Sequence, residues 1–279
     1  SHQSSIGIEH QIGSAMALQT NVVYTGGRLE EGSRNINLTY NPATGANYPS
    51  TDVSRRAFPQ FGPVQMAIWE GRSNYYGWEN SLTKRMSNHW QLSATYTLSQ
   101  FKDSKPDPWK YSIQNNRLVR EAWGFKIAPD LGAEYTLAAT DQRHRAVLNG
   151  IYEAKYGIQV SGVYFYGSGQ RYATSYGGDQ RSEAAGGEAR LRPDGTIVSR
   201  NALVGKPIHR VDLRVQKRVS LGGHVTADGM LELFNAFNHA NYGTYTTQES
   251  AGAYYGQPEF NNNISYQPRG VQLGFRIQF

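Results

Sequence analysis

The chain has 279 residues, with 28 Lys and Arg against 22 Asp and Glu, a formal net charge of +6, 12% aromatic and only 18% charged residues. A disordered chain is charged and poor in rings, so that class is excluded. The absence of Cys excludes disulfide scaffolds, thiolate metal sites and cysteine catalysis, and no stretch nears the roughly 18 consecutive apolar residues of a membrane-crossing helix.

The dominant period is two, the period of a strand with two unlike faces. Taken in chain order, strands are predicted over 3–11, 14–26, 64–86, 89–101, 141–155, 158–168, 209–220, 224–238 and 269–279. In the second, Met16, Leu18, Val22 and Tyr24 share one parity. In the fourth, Trp90, Leu92, Ala94, Tyr96 and Leu98 alternate with Gln91, Ser93, Thr95, Thr97 and Ser99. Ala146, Leu148 and Tyr152 continue the pattern, as do Ile158, Val160, Tyr164 and Tyr166. Val211, Leu213 and Val215 follow, then Val225, Ala227, Leu231 and Leu233. The last segment places Val271, Leu273, Phe275, Ile277 and Phe279 on one face and Gln272, Gly274, Arg276 and Gln278 on the other.

The connections alternate in length. Tight turns are predicted at Gly13-Ser14, Ser87-Asn88, Tyr156-Gly157 and Leu221-Gly222-Gly223, and long segments near 27–63, 102–140, 169–208 and 239–268, with strand extensions such as Ile36, Leu38 and Tyr40. Four long structureless loops are out of place in a compact soluble domain. They suit an antiparallel transmembrane β-barrel, which has short periplasmic turns, long extracellular loops and alternating lipid-facing and lumen-facing residues. Such alternation gives a polar average, and the mean hydropathy of −0.61 accords with it. Complete single-chain bacterial barrels have an even number of strands. Nine therefore leads us to expect that residues 1–279 form the C-terminal part of one larger barrel domain, with the export signal and earlier strands lying outside this sequence.

Four phrases resemble one family. They are SNYYGWENSLTKRMSNHWQLSATYTLSQFKD (Ser73 to Asp103), DQRHRAVLNGIYE (Asp141 to Glu153), ELFNAFNHANYG (Glu232 to Gly243) and the terminal RGVQLGFRIQF. Their order and spacing resemble the C-terminal barrel portion of TonB-dependent outer-membrane transporters, most closely the Oar-like group, and the resemblance covers nearly the whole chain. It implies a barrel of about 22 strands and a plug domain with a TonB-box segment outside this chain. It also implies energised uptake of a ligand that the sequence does not identify, at the Gram-negative outer membrane.

Three sets of residues are candidates for function. The resemblance implies that the last strand, with Val271, Leu273, Phe275, Ile277 and Phe279, is the signal read by the barrel-assembly machinery; the alternative is an aromatic edge strand of a sandwich. Tyr24, Trp78, Phe101, Tyr152, Tyr156, Tyr164 and Tyr166, with Phe234 and Phe237, fall near strand ends and are candidates for girdles at the lipid headgroups. Core packing between two sheets is their other reading. Glu153, Asp212, Arg214, Asp228, Glu232 and Arg276 lie on the parity opposite the apolar rows and are expected to face the lumen, where they line a conduit, meet a plug or pair across strands.

Catalysis finds little support. Asp141 and His144 are three apart, which puts their side chains on opposite faces of a strand. The seven His form no metal-ligand pattern, and no metal or cofactor is expected. The GSGQ at Gly167 lacks the rest of a dinucleotide fingerprint and reads as a loop entry. Asn37 and Asn263 open glycosylation sequons, which carry little weight given the resemblance to a bacterial family. Lys and Arg are dispersed among acids, which argues against nucleic acid. Arg171, Arg181, Arg190 and Arg192 are loop cations that suit lipopolysaccharide or an anionic substrate. The expected partners are therefore the lipid bilayer, lipopolysaccharide, the assembly machinery, TonB through the plug and a transported ligand. A small porin or adhesin barrel and a soluble carbohydrate-binding β-sandwich are the competing readings.

Overall fold

The computed structural model describes residues 1–35, 37, 40–41, 46–48, 51–104, 111–114, 117–120, 135–178, 190, 192–193, 198–260 and 267–279. Nine long strands dominate it: β1 His2–Ile12, β2 Met16–Asn35, β3 Gln65–Ser87, β4 Trp90–Asp103, β5 His144–Ala154, β6 Ile158–Gly167, β7 Ile208–Gly222, β8 Val225–Phe234 and β9 Gly270–Gln278. Each pairs antiparallel with the next in chain order, and Thr136–Leu137 adds a short tenth strand against β4. The sheet is open, with β1 and β9 as its edges.

The register carries the sequence alternation across the whole sheet. Opposed residues share a face, so Trp90, Tyr152, Val160, Val215, Leu231 and Leu273 form one continuous apolar row over six strands. One residue away, Gln91, Ile151, Ser161, Arg214, Glu232 and Gln272 form the matching row of the opposite face. A slip of one residue in any strand would mix the two rows. The short turns fix the register: Gly13, Asn88, His89, Tyr156, Gly157, Gly222 and Gly223 all take the positive φ that tight hairpins require.

Strand ends depart from the sequence expectation where alternation fails. β2 runs on to Asn35 and stays paired with β3 through irregularities at Arg28/Glu30 and Glu30/Gly32, because bulges absorb the off-period GGRLEEGSRN stretch. Tyr40–Asn41 forms a separate small ladder with Ala46–Asn47, and Ile36 and Leu38 lie outside the described residues. β8 stops at Phe234, four residues early, since Asn235 turns to φ 47° and donates its N–H to Asp212 Oδ1 at 2.8 Å.

The apolar face has no second layer. Leu273 is 80% exposed, Phe275 84% and Ile6 76%, while the buried apolar residues among those described are Ala138, Val198 and Tyr245, all in the long connections. A sandwich would cover that face with another sheet. The β-sandwich reading is therefore corrected.

Candidate functional site: the polar face and the loop layer

The six candidate charges lie on the polar parity. In β7–β9 they have partners of opposite sign, within one strand for Asp212 and across strands for the others. Arg210 donates from Nε to both Asp212 oxygens at 2.9 Å, and Arg214 Nη1 stands 3.8 Å from Glu232 Oε1. Arg218 clamps Asp228 with a two-pronged contact at 2.7 and 2.9 Å, and Arg276 is Asp228's partner from β9. Glu153, on β5, is exposed near the turns, and its backbone N–H donates to the His89 carbonyl at 2.7 Å. The polar face thus carries a ladder of alternating charge.

Above the strands, the long connections pack into a layer held by polar groups. Asp103, Ser104, Asp141, Thr174, Arg200, Asn201, Asn235 and Asn241 are all buried, which requires that each find a partner. Arg200 pairs with Asp103, 97 positions away. Asp141 accepts from the Phe101 N–H at 2.7 Å and lies 3.8 Å from both Arg143 and Arg171. Asn235 ties His239 to Gln267, and Asn241 holds the His209 backbone at both its N–H and its carbonyl. Gly169 packs so close to the Gly205 carbonyl that a Cβ would lie 1.8 Å from it, which is why GSGQ is a loop entry requiring glycine.

Two further anchors come from residues that the sequence offered in other roles, Asn37 as a sequon and Arg192 as a loop cation. Asn37 shares its Nδ2 donors among the carbonyls of Phe58, Phe61 and Gly62 and accepts from the Phe58 N–H at 2.7 Å. Arg192 makes a two-pronged pair with Glu249 at 2.6 and 2.8 Å. Nearby, burial and then the Glu249 charge push the Tyr255 hydroxyl above the usual tyrosine range. The loop cations are therefore engaged: Arg171 also donates to the Asn201 carbonyl at 3.2 Å and Arg190 to that of Val198 at 3.2 Å, while Arg181 lies outside the described residues.

A family profile described as the outer membrane beta barrel domain matches residues 1–197 and 191–272. The chain belongs to that family. Its fold is that of a piece of a receptor barrel. The pyoverdine outer membrane receptor FpvA from Pseudomonas aeruginosa PAO1 matches at TM-score 0.53 and 13% identity over 99% of this chain and 29% of its own. The ferric-catecholate import receptor Fiu from K12 E. coli matches at 0.51 and 16%, over 98% and 27%. BauA, the ferric preacinetobactin receptor from Acinetobacter baumannii, matches at 0.51 and 14%, over 98% and 28%. The chain thus spans well under a third of each receptor, and no curated protein sequence matches it.

The outer-membrane barrel gives the apolar rows their solvent, which is hydrocarbon. On the apolar face Tyr24 meets Tyr76 (centroids 5.1 Å apart), with Trp78 one pair further along, and Tyr164 and Tyr166 surround His209. Tyr152 opposes Trp90 near the other end, and Tyr156 sits in the adjoining turn, 84% exposed. Phe101 departs from this face. The register puts it opposite Tyr75, on the polar parity, where the rings meet edge-on at 6.4 Å. Phe234 also falls on the polar parity, and Phe237 lies beyond β8 at 78% exposure. Lys84 sits on the apolar parity of β3, and its Nζ is capped by the Ser87 and Trp90 carbonyls at 2.8 Å, 3.9 Å above the Trp90 ring. Asp141 and His144 are not brought together: His144 Nδ1 pairs instead with the Tyr96 hydroxyl at 2.9 Å.

Proposed function

We propose that the chain is the C-terminal part of a TonB-dependent receptor barrel, of the Oar-like group, that takes up a ligand with energy supplied from the inner membrane. The observation that carries this is a single two-faced meander with short turns at one end and a polar-bonded loop layer at the other, in a family of outer-membrane barrels. The reading supplies an orientation. The turns lie at the periplasmic rim, the apolar face meets lipid, and the charge ladder of β7–β9 lines the lumen and meets the plug. The loops make the first contact with ligand, because binding residues concentrate on loops that a rigid scaffold positions. The edges β1 and β9 are the seams along which the remaining strands join, since an unpaired edge in hydrocarbon leaves backbone groups unsatisfied. Leu273 and Phe275 of β9, with Phe279 just beyond it, serve as the assembly signal. No covalent chemistry is assigned. Ferric chelates, the ligands for which Fiu and BauA are named, are the first ligand class to try.

The test is uptake of a labelled ferric chelate by cells carrying the whole receptor, with and without a protonophore. Uptake that stops when the membrane potential is dissipated supports the proposal. Uptake that continues unchanged replaces it with a passive porin.

A further inference from the structure

On the apolar face, Gly150 of β5 and Gly162 of β6 are direct cross-strand partners, and the row they share runs Leu92, Gly150, Gly162, Leu213. Two adjacent positions without side chains leave a hollow of about 510 Å³ in the barrel's outer surface, within the roughly 300–1,000 Å³ of small-molecule sites. Tyr164 and Leu148 close it on the loop side, and Trp90, Tyr152 and Val160 on the turn side. Smooth packing against fluid lipid gives no reason for such a recess.

The charge around it is one-sided. Lys217 is on the same parity of β7, exposed, four residues from Leu213 toward the turns, which is about 14 Å along a strand. Its Nζ is held by the Tyr156 carbonyl, and Lys155 is exposed in the same turn. The nearby carboxylates, Glu153, Asp228 and Glu232, all take the opposite parity. The Lys217 ammonium at the rim, with Lys155 exposed in the adjoining turn, and an apolar recess a headgroup-to-chain distance away complement one molecule: a glycerophospholipid with an anionic headgroup.

We infer that this hollow seats an anionic glycerophospholipid, its phosphate at Lys217 and Lys155 and one acyl chain over Gly150 and Gly162. The assignment to a glycerophospholipid rests on the periplasmic placement of the turns proposed above. Lipopolysaccharide would occupy the other rim.

The test is native mass spectrometry of the whole barrel released from nanodiscs containing equal phosphatidylglycerol and phosphatidylcholine. The wild type should retain phosphatidylglycerol preferentially. Lys217→Gln should lower that preference about fivefold, the weight of one cation at an anionic surface, while a lipid stays bound. Gly150→Leu should abolish retention by filling the recess. A Cβ there lies 3.3 Å from the Gln91 carbonyl and 3.6 Å from Leu92 Cδ1, more room than Gly162 has beside Leu213 at 3.0 Å. Should Gly150→Leu fail to insert, the headgroup ratio in Lys217→Gln decides alone. No retained glycerophospholipid in the wild type, retained lipopolysaccharide in its place, or a ratio indifferent to Lys217 overturns the inference. The assay needs neither ligand nor energy coupling, so its failure and a failed uptake experiment are separate results.

Discussion

Leu148 and Asn149 are adjacent on β5 and face opposite ways, which makes them a matched pair for measuring what each face of the wall touches. Leu148 opposes Ala94 and Tyr164 in the apolar row; Asn149 opposes Ser93 and Val163 on the polar side. Leu148 lies four residues from His144 and four from Tyr152, about 14 Å along the strand from each ring level, and so near the middle of the hydrocarbon. An arginine facing lipid at that depth costs about 2–4 kcal/mol, or about 30- to 700-fold in the folding equilibrium. Asn149→Arg, on a water-facing surface, should stay within about 0.5 kcal/mol. Urea-dependent folding of the whole barrel into phospholipid vesicles, followed by heat-modifiable gel migration, reads both. Leu148→Arg should shift the midpoint without changing the slope, because the surface exposed on unfolding is the same. Equal costs for the two substitutions, or a larger cost at Asn149, would refute the assignment of the faces.

The loop layer yields smaller, local effects. Asn37→Ala removes the donors shared among three carbonyls and one accepted N–H, at about 1 kcal/mol per bond, and should raise hydrogen exchange over residues 58–62 with the strands unaffected. Asp141→Ala should cost about 1.5–3 kcal/mol, as loss of hydrogen bonds to a charged group does, whereas Asp141→Asn should keep the Phe101 contact and lose only the attraction to Arg143 and Arg171; urea midpoints separate the two. Tyr255 should titrate above the ordinary value of 10.0, so absorbance at 295 nm should show its contribution, as the difference from Tyr255→Phe, only at higher pH. Its raised value means that the neutral hydroxyl is the favoured folded form, with the associated stability present below the ordinary tyrosine range and lost as pH rises through the shifted one. Glu249→Gln should move that titration back down.

Parity made the sheet legible in the sequence. Once Trp90, Leu92, Ala94, Tyr96 and Leu98 are set on one face, nothing but a strand satisfies them, and the same test places Phe101 with Ser99 and Thr97. Phe101 lies near a loop, as a girdle residue would, yet its parity, readable from the residues alone, sets it on the polar face. The continuation of β2 past Gly26 was not available, since GGRLEEGSRN has no period and its pairing depends on bulges that only the partner strand defines. The loop layer was also closed to sequence reading. The partners Asp103 and Arg200 are 97 positions apart, and a buried Asn such as Asn201 or Asn235 has the composition of any exposed loop residue until its backbone acceptors are known.

The contrast between wall and loops follows from where water is. Strands that face hydrocarbon gain nothing by burying apolar side chains against each other, so Leu148, Leu231, Leu273 and Phe275 lie outward, uncovered, and order in the wall comes from backbone ladders and register. The connections emerge into water, where an apolar core would be the ordinary solution, yet among the described residues only Ala138, Val198 and Tyr245 supply one. Asparagine clasps and arginine–carboxylate pairs hold the layer instead. Such bonds are directional, so each fixes one loop geometry in a way that a greasy contact would not. In the receptor proposed above, a polar surface kept in one shape would suit first contact with a ligand, since the ordering entropy has already been lost before the ligand arrives.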